Sequence, residues 1–169
     1  AENTVIILMG DNGYFLGERQ LAGKWLMYDN SLRVPLILYD PRQIGGERNT
    51  DFALNIDIPS TILDLAGVTI PKSWQGTSLR SSKLAERKEF LTEHLWQVDI
   101  IAPSEAIRTE RWKYFRYIND PQREELYDLV LDPMETNNLV ADPLYQEVLK
   151  GLRTKMEQKI TDYLKAKVH

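Results

Sequence analysis

The chain has 169 residues, of which 43% are hydrophobic and 27% charged, a composition that is typical of globular proteins and excludes disorder and collagen-like repetition. The formal net charge of −4 provides no general basic field, so we expect no nucleic-acid partner. Cysteine is absent, which excludes disulfides, thiolate metal sites and a cysteine nucleophile in this sequence, and no apolar run approaches the roughly 20 residues that span a bilayer.

Two short apolar runs, residues 4–9 and 34–39, predict β-strands in the first half of the chain. Both are continuous, as expected for parallel strands that are buried on both faces. Residues 59–66 predict a short helix that stops at Gly67. Because two such strands cannot cover their own faces and edges, we expect that the natural polypeptide continues upstream. The open edge of residues 4–9 predicts a homodimer or a higher oligomer.

The second half has a different pattern. Residues 70–87 are rich in Pro, Ser, Gly and charge and predict a surface connection. Residues 89–96, 106–118 and 125–129 predict strands of a small antiparallel sheet. Asp142 and Pro143 then predict the start of one long amphipathic helix. The fold class is therefore α/β, with residues 1–80 as a piece of an α/β core and residues 81–169 as a small sheet with a terminal helix.

Basic and aromatic residues are interleaved in residues 106–118, a composition also found in proteins that bind single-stranded nucleic acids. On one continuous strand, however, the alternation leaves neither face purely basic. An amphipathic sheet packed by the terminal helix explains the pattern better.

The loop after the first predicted strand carries residue types suited to a metal and anion site. Asp11 and Asn12 lie at the carboxyl end of that strand, where open α/β sheets bind ligands, and their oxygens suit Ca²⁺ or Mg²⁺. Lys24 supplies a compact positive charge for an oxyanion. The alternatives are an ordinary Asx-Gly turn and a solvated lysine. Glu18 and Arg19 are interpreted as an exposed charged pair.

A second candidate site is the strand end that contains Glu93, His94 and Trp96. The alternative interpretation is structural, with His94 as a partly buried histidine at the strand end beside a core tryptophan. Trp96 can stack on the face of a sugar ring.

Several ordered segments resemble the carboxyl-terminal part of the sulfatase family, formylglycine-dependent members of the alkaline phosphatase-like superfamily. They are TVIILMGDNGYFLGERQLAGKW, NSLRVPLILYDPR, IDIPSTILDLAGV, QGTSL, IRTERWKYFRYI and EELYDLVLDPMETNNLVADP. Ordered blocks with matching spacing are far more specific than any single block. The resemblance implies the carboxyl-terminal portion of an alkaline phosphatase-like sheet, followed by a small antiparallel sheet and a long helix.

The resemblance also implies roles for individual residues. Asp11 and Asn12 match the last two protein ligands of a divalent cation, usually calcium. Lys24 matches the lysine that binds the sulfate group and helps to stabilise the leaving oxygen. Arg33 is expected to fix the loop by ion pairing, and Arg19 stands where the family often has a histidine. In such enzymes the smaller sheet borders the pocket, which makes Glu93, His94 and Trp96 candidates for substrate binding.

The motif that supplies the formylglycine nucleophile, Cys/Ser-x-Pro-x-Arg, does not occur in this sequence. Without a nucleophile most of the reaction barrier is uncompensated, so we expect this chain alone to be inactive and to bind calcium weakly through an incomplete site. The parent reaction implied is hydrolysis of organic sulfate esters, with sulfated carbohydrates as the expected substrates.

Two alternatives stay open. One is a phosphodiesterase or phosphonate hydrolase of the same superfamily, and the other is a truncated, non-catalytic interaction module. The resemblance implies a periplasmic, extracellular or lysosomal location, although the sequence carries no address of its own.

Overall fold

The computed structural model describes residues 2–166, and the chain forms two compact units, Ala1–Thr50 and Asp51–His169. The division falls at residue 50, whereas the sequence predicted a boundary at residue 80. The assignment of residues 1–80 to an enzyme core stays a prediction. No helix within residues 2–166 is both long enough and apolar enough to cross a membrane.

Within residues 2–50 the first unit contains four short strands, one α-helical turn and a 3₁₀ turn at Glu18–Gln20. The strands and the α-helical turn are β1 (Ile6–Met9), β2 (Phe15–Leu16), β3 (Ala22–Gly23), α1 (Asp29–Leu32) and β4 (Leu36–Tyr39). The strands form two antiparallel pairs, β1 with β4 and β2 with β3.

The antiparallel pairing of β1 and β4 corrects the predicted parallel arrangement. An apolar run reports burial and not strand direction, and here the chain reverses between the two strands. Burial on both faces is also wrong for this chain, because side chains on one face of the pair are exposed, with Leu8 60% and Ile37 57% exposed. The predicted unpaired strand therefore has a partner along one edge.

The second unit is built on a four-stranded antiparallel sheet. Its elements are α2 (Asp57–Leu65), β5 (Glu89–His94), β6 (Ser104–Thr109), β7 (Trp112–Tyr117), β8 (Asp120–Asp128) and α3 (Gln146–Lys165). The strand order is β5-β6-β7-β8, so each strand pairs with its neighbour in sequence. The predicted antiparallel sheet, the helix near residues 59–66 and the long terminal helix are confirmed.

The single strand predicted over residues 106–118 is wrong, because the chain turns there. β6 and β7 are joined at Glu110 and Arg111, and the Thr109 hydroxyl accepts a hydrogen bond from the Trp112 N–H (2.9 Å). Glu110 and Arg111 are not turn formers like Asn-Gly, so no hairpin is predicted from these residues. The predicted alternation of faces does not continue across the turn.

The core of the second unit lies between α3 and one face of the sheet. Ile107, Tyr114 and Leu126 from the sheet meet three residues of α3, all of them buried; these are Leu149, Leu152 and Met156. The helix begins three residues later than predicted, since a 3₁₀ turn spans Pro143–Tyr145. The Asp142 side chain caps this turn by accepting from the Leu144 N–H (2.9 Å), and Leu144 itself is exposed rather than part of the core.

The carboxylate of Asp57, fully buried at the start of α2, organises the surrounding loops. It accepts from the backbone N–H groups of Leu54 (2.7 Å) and Thr77 (2.8 Å). The Arg87 guanidinium binds both of its oxygens (2.5 and 2.7 Å). Because every oxygen has donors, the buried charge is compensated.

Candidate functional site

The loop from residue 10 to residue 35 is shaped by a close approach of Gly13 to α1. The Gly13 N–H donates to the Ser31 carbonyl (2.7 Å), and a Cβ at Gly13 would overlap the Asn30 carbonyl oxygen. Only glycine fits this approach. The contact fixes the position of Asn12, which directly precedes Gly13.

Within this loop the structure brings Asn12 and Lys24 together. The Lys24 ammonium donates to Asn12 Oδ1 (3.0 Å), and Asn12 Nδ2 donates to the Gly13 carbonyl (2.7 Å). The ammonium also lies 4.8 Å from the centre of the Trp25 ring, within range of a cation–π interaction. The side chains of Asn12 and Lys24 are both half-buried. The loop thus holds a positive charge and an amide oxygen within hydrogen-bonding distance of each other.

Trp25 holds the backbone next to Lys24 in an unusual conformation. Its φ is 86°, in the left-handed region that L residues rarely adopt, and its N–H donates to the buried Ser31 hydroxyl (3.1 Å). Strain of this kind persists where the surroundings over-determine the conformation and is concentrated at functional sites. The contacts of the loop therefore fix the backbone next to Lys24.

The donors present suit a hard divalent cation in kind but not in number. Asp11 is exposed beside Asn12, so these two residues offer one carboxylate and one amide oxygen. Calcium takes six to eight oxygens, and residues 2–166 contain no group of three or more His, Cys, Asp or Glu side chains that could hold a metal. These two oxygens alone do not complete such a coordination shell.

Other residues of the loop differ from their predicted roles. Glu18 accepts a hydrogen bond from the Leu16 N–H (2.6 Å), and backbone hydrogen bonds lower the pKa of its carboxyl. Arg19 lies 4.0 Å from the centre of the Tyr28 ring. Both therefore stabilise the loop itself. Arg33 is exposed, and its expected ion pairing stays a prediction.

The second candidate site is divided between the two faces of β5. Glu93 and His94 are neighbours on a strand and so point to opposite faces, while Trp96 follows the strand and is 74% exposed. His94 is buried opposite Ser104, and burial lowers the pKa of its imidazole, which is therefore neutral at pH 7. The three residues do not form one cluster.

Sequence reasoning missed Glu105 as the electrostatic partner of this strand end. Glu105 lies directly opposite Glu93 in the β5/β6 register and accepts a hydrogen bond from Arg116 Nε (2.6 Å). Burial, with the charge of Glu105 as a smaller cause, raises the pKa of Glu93. Only the register of β5 against β6 could have revealed this pair, and that register depends on how residues 95–103 connect the two strands.

Comparison with known proteins assigns the chain to a family. Residues 17–162 match the family model described as N-sulphoglucosamine sulphohydrolase, C-terminal. The match includes Lys24, while Asp11 and Asn12 precede it. An N-acetylglucosamine-6-O-sulfatase from Bacteroides thetaiotaomicron is 32% identical over 96% of this chain and 31% of its own length. A choline-sulfatase from Rhizobium meliloti is 35% identical over 84% of this chain and 28% of its own length.

Solved structures show the same relationship. A protein in complex with its substrate D-glucosamine-2-N,6-O-disulfate has a TM-score of 0.87 and 31% identity over 97% of this chain and 35% of its own. The phosphonate monoester hydrolase of Agrobacterium radiobacter has a TM-score of 0.76 and 26% identity over 95% of this chain and 36% of its own.

The chain belongs to the N-sulphoglucosamine sulphohydrolase C-terminal family and corresponds to the carboxyl-terminal part of sulfatases. It spans about a third of the length of the curated relatives it matches. The predicted family and the predicted fold class are confirmed.

Proposed function

We propose that this chain is the carboxyl-terminal part of a sulfatase that hydrolyses sulfate esters of carbohydrates. The observation that supports this is the contact between Lys24 and Asn12 on a rigid loop, in a chain that belongs to a sulfatase family. The N-acetylglucosamine-6-O-sulfatase and the structure with a disulfated glucosamine are similar to nearly the whole chain, and they favour a sulfated sugar as substrate.

In this proposal Lys24 binds the sulfate group and stabilises the developing charge on the leaving oxygen. Asp11 and Asn12 supply two of the ligands of a Ca²⁺ or Mg²⁺ ion, which when bound would neutralise charge on the ester. An ammonium and a divalent cation repel each other at a single oxygen. We therefore expect Lys24 to leave Asn12 Oδ1 and to contact the sulfate group when the cation and the sulfate ester are both bound.

Glu93, His94 and Trp96 are each proposed separately as a contact of the sugar, because Glu93 and His94 point to opposite faces of β5. Trp96 offers an exposed aromatic face for stacking. His94, neutral at pH 7 because burial lowers its pKa, can donate or accept one hydrogen bond without bringing a charge.

The test compares this chain with the longer natural polypeptide that contains it, using 4-nitrophenyl sulfate and N-acetylglucosamine 6-sulfate. The chain alone should release no sulfate. In the longer polypeptide, Lys24→Gln should lower kcat/KM by roughly 10²- to 10³-fold, because a preorganised positive charge is removed from the transition state. Lys150→Gln, which changes an exposed lysine of α3, is the control and should leave kcat/KM unchanged. Equal activity of the two variants would refute the role of Lys24.

A phosphonate or phosphodiester hydrolase is the second candidate, and the similarity to the phosphonate monoester hydrolase favours it. The two functions differ in the group that is cleaved. Paired assays of the longer polypeptide with the sulfate and the phenylphosphonate ester of 4-nitrophenol separate them, and we expect the sulfate ester to give the higher kcat/KM.

A further inference from the structure

An open cavity of about 500 Å³ lies in the second unit beside the carboxyl-terminal end of α2. This volume is within the range of small-molecule pockets, roughly 300–1,000 Å³. Its lining is mainly polar, and besides Ile70 and Gly76 it consists of Asp64, Thr77, Ser78, Arg80, Ser81 and Lys83. The cavity is lined only by residues between 64 and 83. It therefore shares no residue with the Lys24 loop, which is the loop from residue 10 to residue 35.

The charges in this cavity favour an anion. Arg80 and Lys83 provide two positive charges against the single carboxylate of Asp64. That carboxylate is already engaged, because its Oδ2 accepts from the Ser78 hydroxyl (2.7 Å) and, at 3.4 Å, from Arg80 Nη1. The Lys83 ammonium has no hydrogen-bond or ion-pair partner within residues 2–166. One net positive charge is thus left over for a ligand.

Hydroxyl donors lie beside these cations. The Thr77 hydroxyl has no hydrogen-bond partner in the described part of the chain. Ser81 Oγ accepts from the Lys83 N–H (3.2 Å), which leaves its own proton available. Hydroxyl, guanidinium and ammonium donors together match the several acceptor oxygens of a sulfate or phosphate group.

The wall of the cavity is rigid because α2 holds it. Gly76 accepts from the Ser60 hydroxyl (2.9 Å), and the Leu79 N–H donates to the buried Thr61 hydroxyl (2.9 Å). The Thr77 N–H is held by Asp57, as described above. A preorganised wall lowers the entropy that a ligand must overcome on binding.

We propose that this cavity binds a sugar-sized ligand through a tetrahedral oxyanion, carried as a sulfate or a phosphate ester. Arg80 and Lys83 bind the oxyanion, and the Thr77 and Ser81 hydroxyls donate to it. The remaining volume accommodates the alcohol part of the ester. This site is independent of the proposed hydrolytic function, because none of its residues belongs to the Lys24 loop.

The experiment follows backbone amide shifts of the 169-residue chain by NMR during titration at constant ionic strength. Three probes are used: glucose 6-sulfate, glucose 6-phosphate and glucose. We expect saturable shifts at residues 76–83 with one or both esters and none with glucose. A response to only one ester identifies which oxyanion the cavity selects, and both results support the proposal. Equal shifts with glucose, or shifts only at residues 10–25, overturn it.

Variants test the assigned cations. Arg80→Gln combined with Lys83→Gln should weaken ester binding by roughly tenfold or more, because two charge-assisted contacts are lost. Lys83→Gln alone breaks no contact in the free protein and should weaken binding by roughly threefold. Lys150→Gln removes the same charge from the distant face of α3 and should have no effect. Unchanged affinity in Lys83→Gln and in a natively folded double variant overturns the proposal.

Discussion

At the scale of single residues, Lys113 and Glu135 form an ion pair that is buried on both sides. Each side chain is 1% exposed, and Nζ lies 2.5 Å from Oε1. Glu135 adopts a φ of 55°, so the loop after β8 is held in a strained conformation that presents its carboxylate to β7. A buried pair of this kind adds little net stability over apolar residues, but breaking it is costly.

We predict that Lys113→Met lowers the free energy of unfolding by about 3–5 kcal/mol, since it leaves the Glu135 carboxylate buried without its cation. The double variant Lys113→Met/Glu135→Leu should regain most of that loss. Urea unfolding measures both changes.

Lys88→Met is the matched control for this prediction. Lys88 pairs with Glu110 at 3.0 Å, but both side chains are about two-thirds exposed, so the change should be below about 1 kcal/mol. A double variant no more stable than Lys113→Met would show that the ion pair is not the source of the loss.

At the scale of elements, α2 packs in the opposite sense to the usual amphipathic helix. Asp57, Ser60 and Thr61 are fully buried, while Ile62 is 52% exposed. The buried polar groups bind backbone N–H and C=O groups of the following loop, which could not otherwise be satisfied away from water. The start and stop signals of residues 59–66 predicted this helix, but such signals do not say which face a helix buries.

Gly76, in the loop that follows α2, lies close to the backbone of Ile56, which directly precedes α2. We predict that Gly76→Ala destabilises the second unit. A Cβ there would overlap the Ile56 carbonyl oxygen, so the backbone must shift. The expected loss is about 1–3 kcal/mol, measured by urea or thermal unfolding.

Gly46→Ala provides the comparison, because a Cβ at Gly46 meets no atom within 4 Å and its φ is not in the left-handed region. Its effect should lie within about 0.5 kcal/mol. If the two alanine variants unfold alike, the close approach at Gly76 does not limit stability.

At the scale of the whole molecule, one face of the β1/β4 pair is an exposed apolar surface of the first unit. Ile6 lies opposite Tyr39 and Leu8 opposite Ile37, and all four side chains are 46–60% exposed. Adjacent exposed apolar residues of this kind favour association. The chain spans about a third of its curated relatives' length, and homo-oligomerisation stays a prediction for the chain by itself.

We predict that the 169-residue chain self-associates through this face. Light scattering should give a mass above 19.6 kDa that rises with concentration, and Leu8→Lys should shift the mass towards the monomer, because burying an unpaired ammonium is unfavourable. Leu144→Lys, at an exposed position outside this face, should leave the mass unchanged. A strict monomer at high concentration would contradict the prediction.

The sequence by itself determined the family, the α/β class, the terminal helix and the presence of Lys24 and Asn12 on one loop. These features depend on local periodicity, turn residues and ordered motifs, all of which can be read along the chain. Only the tertiary structure decided the direction of β1 relative to β4, the hairpin at Glu110 and Arg111, and the pairing of Lys113 with Glu135. The strand direction and the ion pair depend on which distant segments meet, and the spacing of residues along a chain does not encode that pairing directly. The hairpin is local, but its two turn residues carry no turn signal.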